Sequence, residues 1–413
     1  MFEKLIGFIG LIVFIGLCLL LSNDRKNIKW KPVLTGCFLQ FVFAIFILKT
    51  PLGRIIFEKA KGFFAHLMGF GREGAAFVFG PLVKDELMGP VFGEANVFIF
   101  AIQVSAVIIF MASLFAILYH WGIMQRIVYV FAKIMQKVMG TSGSESLAAA
   151  ANVFMGQTEA PLAVRPYLNK MTSSELMALM TGGMASVSGS ILAAYVSFGI
   201  DAGHLLAASV MSAPACLAIA KIIIPEKEIS ETKDTVPQNK EKLDVNVLDA
   251  ACRGATDGLK LSVNVMAMLI AFIALIALVN ALLGWTTAYF FTTPITLEQV
   301  FGYLFSPFAF LLGVPWEDCT SIGSLLGVKT VLNEVVAYIK LGQIKDTLQP
   351  RSVILATYAL CGFANFSSIA IQIGGIGALA PNRRKDLAKL GLKAMIGGTL
   401  AAFMTACIAG LLL

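Results

Sequence analysis

Long apolar stretches dominate this chain, and the polar residues between them fall into a few short clusters. Leu261 to Gly284 carries no charged residue, and Leu5–Leu21, Phe98–Leu118 and Met395–Leu413 are equally apolar. A helix needs about 20 such residues to cross a bilayer. A membrane barrel would show short alternating strands, and no such alternation occurs. The pattern predicts spanning helices near 4–22, 32–49, 95–119, 172–199, 203–224, 247–283, 352–380 and 387–412. An amphipathic segment at 53–69 mixes Arg54, Glu58, Lys59 and Lys61 with aromatics, which suits the membrane interface. A Gly-rich connection, 70–94, follows it, and a second amphipathic helix occupies 122–139.

Two stretches resist this reading. The first, 140–175, begins "GTSGSESLAAAANVFMGQTEAP"; the second, 318–350, centres on "GSLLGVKTVLNEVVAY". The first is too polar and too broken by Gly156, Pro161 and Pro166 to span, yet too apolar for a solvated loop. A re-entrant hairpin of two half-helices fits, because irregular backbone is tolerated at membrane depth only inside protein or along a cavity. The expected fold is an all-α polytopic membrane protein with eight transmembrane helices, two re-entrant hairpins and interfacial helices.

The two oddities are related. "GGMASVSGSI" at 182–191 resembles "CGFANFSSIA" at 361–370, an offset of 179 residues. Upstream, Thr158-Glu159 corresponds to Asn333-Glu334 at an offset of 175. Each unit has a span, a hairpin with a glutamate, a broken polar span and a final span. Three spans per unit is an odd number, so the second copy must enter the membrane from the opposite side. Such inverted repeats place a transporter's binding site near the midplane, where the repeats meet.

Composition agrees: 58% of residues are hydrophobic and only 14% charged, whereas a soluble domain carries about a quarter charged. The net charge of +7 matters less than its placement. Basic residues cluster in 23–31, 120–170, 225–245 and 381–390. Positive loops stay cytoplasmic, which puts both termini outside. Lys340, Lys345 and Arg351 fall on the outer side under this scheme, against the rule. The basic clusters abut spans and lack interleaved aromatics, so no nucleic-acid partner is expected. The first apolar run is long and is followed directly by Arg25 and Lys26, so it reads as a retained helix rather than a leader. The seven cysteines form no CxxC pair and the three histidines are far apart, so no metal cluster of these ligands is expected. The Pro- and charge-rich segment 225–245 reads as a mobile linker.

The polar residues of the hairpins carry the chemistry. An ionised acid at bilayer depth costs at least about 2.5 kcal/mol and marks a substrate, ion or proton path. Glu159 and Glu334 sit at the two hairpin tips and should face one cavity. Gln157, Thr158, Asn333, Asn365, Ser367 and Ser368 surround them, a set suited to a neutral polyhydroxylated solute. Phe363 offers either a flat surface for a ring or ordinary core packing. Asn152, Thr158, Ser186 and Ser188 could give oxygens to a hard cation such as Na⁺, or the small residues there could simply permit close helix packing.

Four blocks then carry a resemblance. "GTSGSESLAAAANVFMGQTEAPL", "MTGGMASVSGSILAAYV", "VLNEVVAY" and "LCGFANFSSIAIQIGGIGALAP", with "GIMQRIV" at 122–128, resemble the signature blocks of concentrative nucleoside transporters, over nearly all of the chain from residue 75. The resemblance implies a homotrimer in the bacterial inner membrane, with a scaffold and a transport domain that moves like an elevator. On it, 1–139 and 246–317 are scaffold, 140–224 and 318–413 are the two halves of the transport domain, and 225–245 is the cytoplasmic linker. Gln157, Thr158 and Glu159 would contact the nucleobase, with Phe363 and Ile191 against it. Glu334, Asn365 and Ser368 would bind ribose hydroxyls. Sodium would use the side chains of Asn152 and Ser186 and the carbonyls of Met155 and Val187. The implied function is sodium-coupled import of nucleosides such as uridine, with lipid as the surrounding solvent; a proton-coupled symporter is the alternative. An intramembrane enzyme is disfavoured, since no nucleophile–base pair accompanies the carboxylates, and a passive channel would not need two hairpins. Two departures stand out: "FAIQVSAVIIF" (100–110) lacks a proline that many relatives carry, and Met155 replaces a smaller β-branched residue.

Overall fold

The computed structural model describes residues 2–93, 99–237, 244–288 and 295–413. The described residues form helices joined by turns, with no strand among them. In chain order the helices are α1 (Phe2–Leu21), α2 (Trp30–Lys49), α3 (Pro51–Phe79), α4 (Asp85–Phe92), α5 (Phe100–His120) and α6 (Ile123–Met139). Then come α7 (Gly143–Asn152), α8 (Ala160–Ala163), α9 (Ser173–Ala185), α10 (Gly189–Ser197), α11 (Ala202–Ile223) and α12 (Val247–Thr287). The chain closes with α13 (Leu297–Leu311), α14 (Cys319–Val331), α15 (Glu334–Ile344), α16 (Pro350–Leu360), α17 (Phe366–Leu379) and α18 (Arg384–Leu412).

Both hairpins and both broken spans are present: α7/α8 and α14/α15 are the hairpins, and α9/α10 and α16/α17 are the spans interrupted at 186–188 and 361–365. Joined across their breaks, those spans bring the crossings to eight, as the sequence pattern predicts. Caps explain why the half-helices start where they do. Ser142 with Glu145 and Thr172 with Glu175 close reciprocal capping boxes at the starts of α7 and α9. Ser188, Asn333 and Asn365 cap α10, α15 and α17, so each break ends in a helix N-terminus built by a polar side chain.

The first two helices lie on the repeat. Phe14 of α1 packs on Phe403 of α18, with ring centroids 5.3 Å apart. Gln40 of α2 is buried and donates to the Thr405 hydroxyl of α18 at 3.0 Å. A second layer is formed by α3, α5 and α12, where Gly254 and Gly258 of α12 seat against Ala112 and Ile109 of α5. The span 173–197 has its whole apolar window buried, against 17% for α12, so α12 lies at the periphery. At 1.5 Å per residue its 41 residues reach about 60 Å, twice the bilayer core.

Some expected boundaries shift. The amphipathic segment expected at 53–69 continues to Phe79, so much of the connection expected at 70–94 is helix, and residues 94–98 lie outside the described residues. The glycines there weaken a helix without ending one; packing of Gly71 and Ala75 on α5 holds it until Gly80. Helix α13, absent from the sequence-based reading, packs antiparallel to α14, with Gly302 and Gly323 in contact.

The linker expected to be mobile is anchored in its first half. The Thr232 carbonyl accepts from Gly143 N at 2.8 Å, its hydroxyl accepts from Ser144 N at 3.0 Å, and Ser230 donates to Glu175 at 2.6 Å. The amides at the start of α7 need acceptors, and these hydroxyl-bearing residues supply them. Residues 238–243 lie outside the described residues.

The basic loops gather at one end. Lys227 pairs with Asp24 at 2.6 Å, Lys170 with Glu231 at 2.7 Å, and Arg383 Nη1 donates to the Met171 carbonyl at 2.5 Å. At the other end, the three cations that break the positive-inside pattern are all engaged. Lys340 pairs with Glu298 at 2.8 Å, Lys345 donates to the Gly199 carbonyl at 3.2 Å, and Arg351 to that of Gly313 at 3.0 Å.

Candidate functional site

Four chain breaks meet around one cavity of about 480 Å³. Hairpin 1 contributes Gly156 to Glu159, α10 contributes Ser188, Ser190 and Ile191, hairpin 2 contributes Asn333 to Val335, and the second broken span contributes Phe363, Asn365, Ser367 and Ser368. Helix N-termini therefore point at the cavity from several sides, and their partial positive charge favours a carboxylate or a solute acceptor there. Glu334 is the first residue of α15, where that field stabilises it.

The eight residues expected to bind substrate, Gln157, Thr158, Glu159, Ile191, Glu334, Phe363, Asn365 and Ser368, all line this cavity. Their states differ. Glu334 is buried, and each carboxylate oxygen has one protein donor: Tyr195 Oη at 3.0 Å on Oε1 and Asn365 Nδ2 at 2.9 Å on Oε2. Glu159 and Thr158 instead lie exposed to the opening. Gln157 donates through Nε2 to Ser368 Oγ at 3.0 Å, joining hairpin 1 to the second broken span, while its buried Oε1 has no partner. Ser368 is thus committed to Gln157 as well as facing the cavity.

The residues expected to hold sodium do not line this cavity. Asn152, Ser186 and Val187 are buried where hairpin 1 meets the break of α9. Asn152 Nδ2 donates to the Ala148 carbonyl at 3.0 Å and lies 3.0 Å from where a Cβ on Gly182 would be; Ser186 Oγ donates to the Gly182 carbonyl at 2.8 Å. Asn152 Oδ1 is buried without a partner. A buried acceptor left unmatched costs about 1–3 kcal/mol; a cation at that spot would remove the cost. The donor chemistry, a neutral oxygen beside the carbonyl end of a half-helix, fits Na⁺.

Other participants were missed in the sequence. Tyr195, stacked on Tyr338 at 4.3 Å, orients Glu334. Gln372 of α17 donates to the Met180 carbonyl of α9 at 3.1 Å, tying the two broken spans together. Gly183 makes that approach possible, because a Cβ there would lie 2.6 Å from Gln372 Nε2 and 3.0 Å from Gln157 Cβ. The remaining wall is α12, through Asp257, Lys260, Leu261, Asn264 and Met268, spaced three and four apart on one helical face. A second, narrower cavity of about 110 Å³ shares Glu159, Ser188, Ser190 and Asp257 with the first and adds Tyr119, Gln125, Arg165 and Arg253. At its mouth Arg253 donates to both oxygens of Asp244, at 2.6 and 3.0 Å, which holds that carboxyl below its ordinary range.

Similarity to known proteins follows the same lines. Residues 204–410 match the family described as Na⁺ dependent nucleoside transporter C-terminus, residues 9–82 match its N-terminus, and 101–202 match the family described as nucleoside recognition. The chain is 45% identical over 406 residues to the uncharacterized transporter YutK of Bacillus subtilis, covering 98% of each chain. It is 41% identical over 430 residues to sodium/nucleoside cotransporter 1 of Rattus norvegicus, covering 99% of this chain and 64% of that one. Among solved structures, CNTnw in an inward-facing substrate-bound state superposes with a TM-score of 0.94 at 43% identity, covering 99% of this chain and 98% of the other. A variant of CNTnw in an outward-facing state gives 0.95 at 41% identity, covering 100% and 98%.

Proposed function

The chain belongs to the concentrative nucleoside transporter family, and from that footing we propose that it imports nucleosides by symport with sodium, through elevator-type alternating access. The convergence of eight residues on one cavity carries this reading. Glu334 has one lone pair free on each oxygen, a spacing suited to the cis-diol of ribose, and Asn365 braces it. Gln157, Thr158 and Glu159 take the polar edge of the base, and Phe363 and Ile191 take its faces. Sodium sits with Asn152, Ser186 and the carbonyls of Met155 and Val187. Its binding holds hairpin 1 on the break of α9, and so shapes the base end of the cavity. The orphaned Asn152 Oδ1 is what favours sodium over a proton.

The moving body in this proposal holds both repeat halves, 140–224 and 318–413, and carries α1 and α2 with it, because Phe14 and Gln40 are packed into α18. The part of 1–139 left as framework is then α3 to α5, with α12 from 246–317, because α6 packs on α2 through Met139 and donates from Gln136 to the Lys233 carbonyl. The wall that α12 gives the cavity is the surface along which the substrate travels. We place the basic end in the cytoplasm of a bacterial inner membrane, which leaves both termini outside, and we take the working unit to be a homotrimer.

Equilibrium binding tests the reading. Purified protein is titrated with uridine, uracil and ribose, each with and without sodium. Uridine is expected to bind about tenfold more tightly with sodium, a difference of about 1.4 kcal/mol, and the two fragments only weakly. Affinity that ignores sodium but tightens as pH falls would transfer the coupling to a proton.

A further inference from the structure

Helix α6 has two rows of side chains that the site described above does not use. Its inner side, with Val128, Ala132, Met135 and Met139, is buried on the rest of the fold. Ile123, Ile127, Val130 and Ile134 recur three and four apart and are exposed, so they form a second apolar row on the outside. Beside it runs a basic row, Arg126, Lys133 and Lys137, also exposed. Among the described residues, no carboxylate lies within ion-pair distance of any of these three cations. Trp121, just before the helix, is exposed as well.

These neighbours decide what lies against the helix. Water would leave the outer apolar row unburied, and hydrocarbon alone would strand three cations. A bilayer surface satisfies both rows: apolar side chains enter the acyl chains, while Lys, Arg and Trp stay at headgroup level. The helix lies at the basic end of the molecule, where Gln136 Nε2 donates to the Lys233 carbonyl of the linker at 3.1 Å.

Helix α6 is also a joint. Gly122 and Gly140, at its two ends, have φ of +75° and +71°, left-handed values that favour glycine. Gly122 joins the helix to α5, and Gly140 leads into α7 of hairpin 1. Whatever holds α6 level therefore sets how hairpin 1 stands against α5.

We propose that Arg126, Lys133 and Lys137 dock the phosphates of anionic phospholipids in the cytoplasmic leaflet, and that this contact holds the joint between α5 and hairpin 1 in the membrane plane. The partner is the lipid surface itself, a row of phosphates over acyl chains that receive Ile127, Val130 and Ile134. The docking uses the orientation given above, with the basic end in the cytoplasm, and is independent of substrate and coupling ion.

The test uses full-length protein that keeps Trp121 as its only tryptophan, with Trp30, Trp285 and Trp316 replaced by Phe. It is reconstituted into vesicles of equal parts phosphatidylcholine and phosphatidylglycerol, with one lipid or the other brominated. Quenching of Trp121 then reads which lipid sits beside α6. Phosphatidylglycerol should be enriched there at least about fivefold, the preference of about one basic residue near an anionic surface, and added salt should reduce the enrichment. In the combined variant Arg126→Gln, Lys133→Gln and Lys137→Gln the enrichment should disappear. Hydrogen exchange over 122–140 should be slower in the mixed vesicles than in phosphatidylcholine alone, and the variant should lose that difference. Equal quenching by the two lipids in the parent protein would overturn the proposal. So would an enrichment that survives undiminished in the variant, or exchange over α6 that ignores lipid charge. Should the variant not fold, the salt dependence in the parent protein decides. Enrichment without any uridine uptake would refute the transport reading and leave this one standing.

Discussion

Glu334→Gln is the substitution that probes the cavity most sharply. The carboxylate has about four acceptor positions, and the protein uses two of them, through Tyr195 Oη and Asn365 Nδ2. One remains on each oxygen for a pair of substrate hydroxyls. Glutamine is nearly isosteric: its NH₂ would clash with the Asn365 NH₂ but can face the Tyr195 hydroxyl, which turns to accept, leaving the carbonyl oxygen on Asn365. The substrate loses one acceptor outright, and the other is no longer charged. A hydrogen bond to a charged group contributes about 1.5–3 kcal/mol and a neutral one about 1. The expected loss is therefore about 2–4 kcal/mol, or about 30- to 1000-fold in affinity. The assay compares uridine with 2′,3′-dideoxyuridine in both proteins. The dideoxy compound lacks the diol, so it should bind the two proteins about equally, and the penalty should appear with uridine alone. Equal penalties for both compounds would mean that Glu334 shapes the cavity without touching ribose. Normal uridine affinity in the variant would remove Glu334 from the site altogether.

Three further outcomes are expected. Asn152→Ala should raise the half-saturating sodium concentration at least about tenfold, a loss of about 1.4 kcal/mol, with uridine affinity at saturating sodium nearly unchanged; sodium titration of binding reads this directly. Gly183→Ala should cost about 1–3 kcal/mol from overpacking against Gln372 and Gln157, lowering Tm and uptake together, whereas Gly74→Ala, inside α3 with nothing within 4 Å of the new methyl, should leave uptake unchanged and raise Tm slightly. Lys221→Met strands the buried Glu145 carboxylate that it meets at 2.6 Å, at about 3–5 kcal/mol; adding Glu145→Gln should restore much of the Tm, since glutamine keeps the acceptor that the Ser142 amide uses.

Both hairpins were legible because their polar residues and prolines have no reason to occur in an apolar chain unless they line something. The repeat was legible for the same reason, since two rare patterns recur in the same order. Tyr195 and Gln372 were not legible. Each sits in an apolar helix where a single polar group looks like an isolated exception, and only its partner across the fold, Glu334 or the Met180 carbonyl, reveals its purpose. The polar face of α12 was diluted over 41 residues, although Asp257, Lys260 and Asn264 do keep the three- and four-residue spacing of one face. The linker misled because polar composition favours water only when no buried donors need it. Here the start of α7 needed Thr232 and Ser230. The attachment of α1 and α2 to the repeat depends on tertiary packing, which their evenly apolar sequences do not encode.

Sodium-coupled nucleoside import is tested most directly by uridine accumulation in proteoliposomes, driven by an inward sodium gradient in one arm and an inward proton gradient in the other. The account predicts accumulation above equilibrium with sodium alone, and in Asn152→Ala a weaker accumulation that higher sodium restores. Accumulation driven by protons alone, with Asn152→Ala as active as wild type, would contradict it.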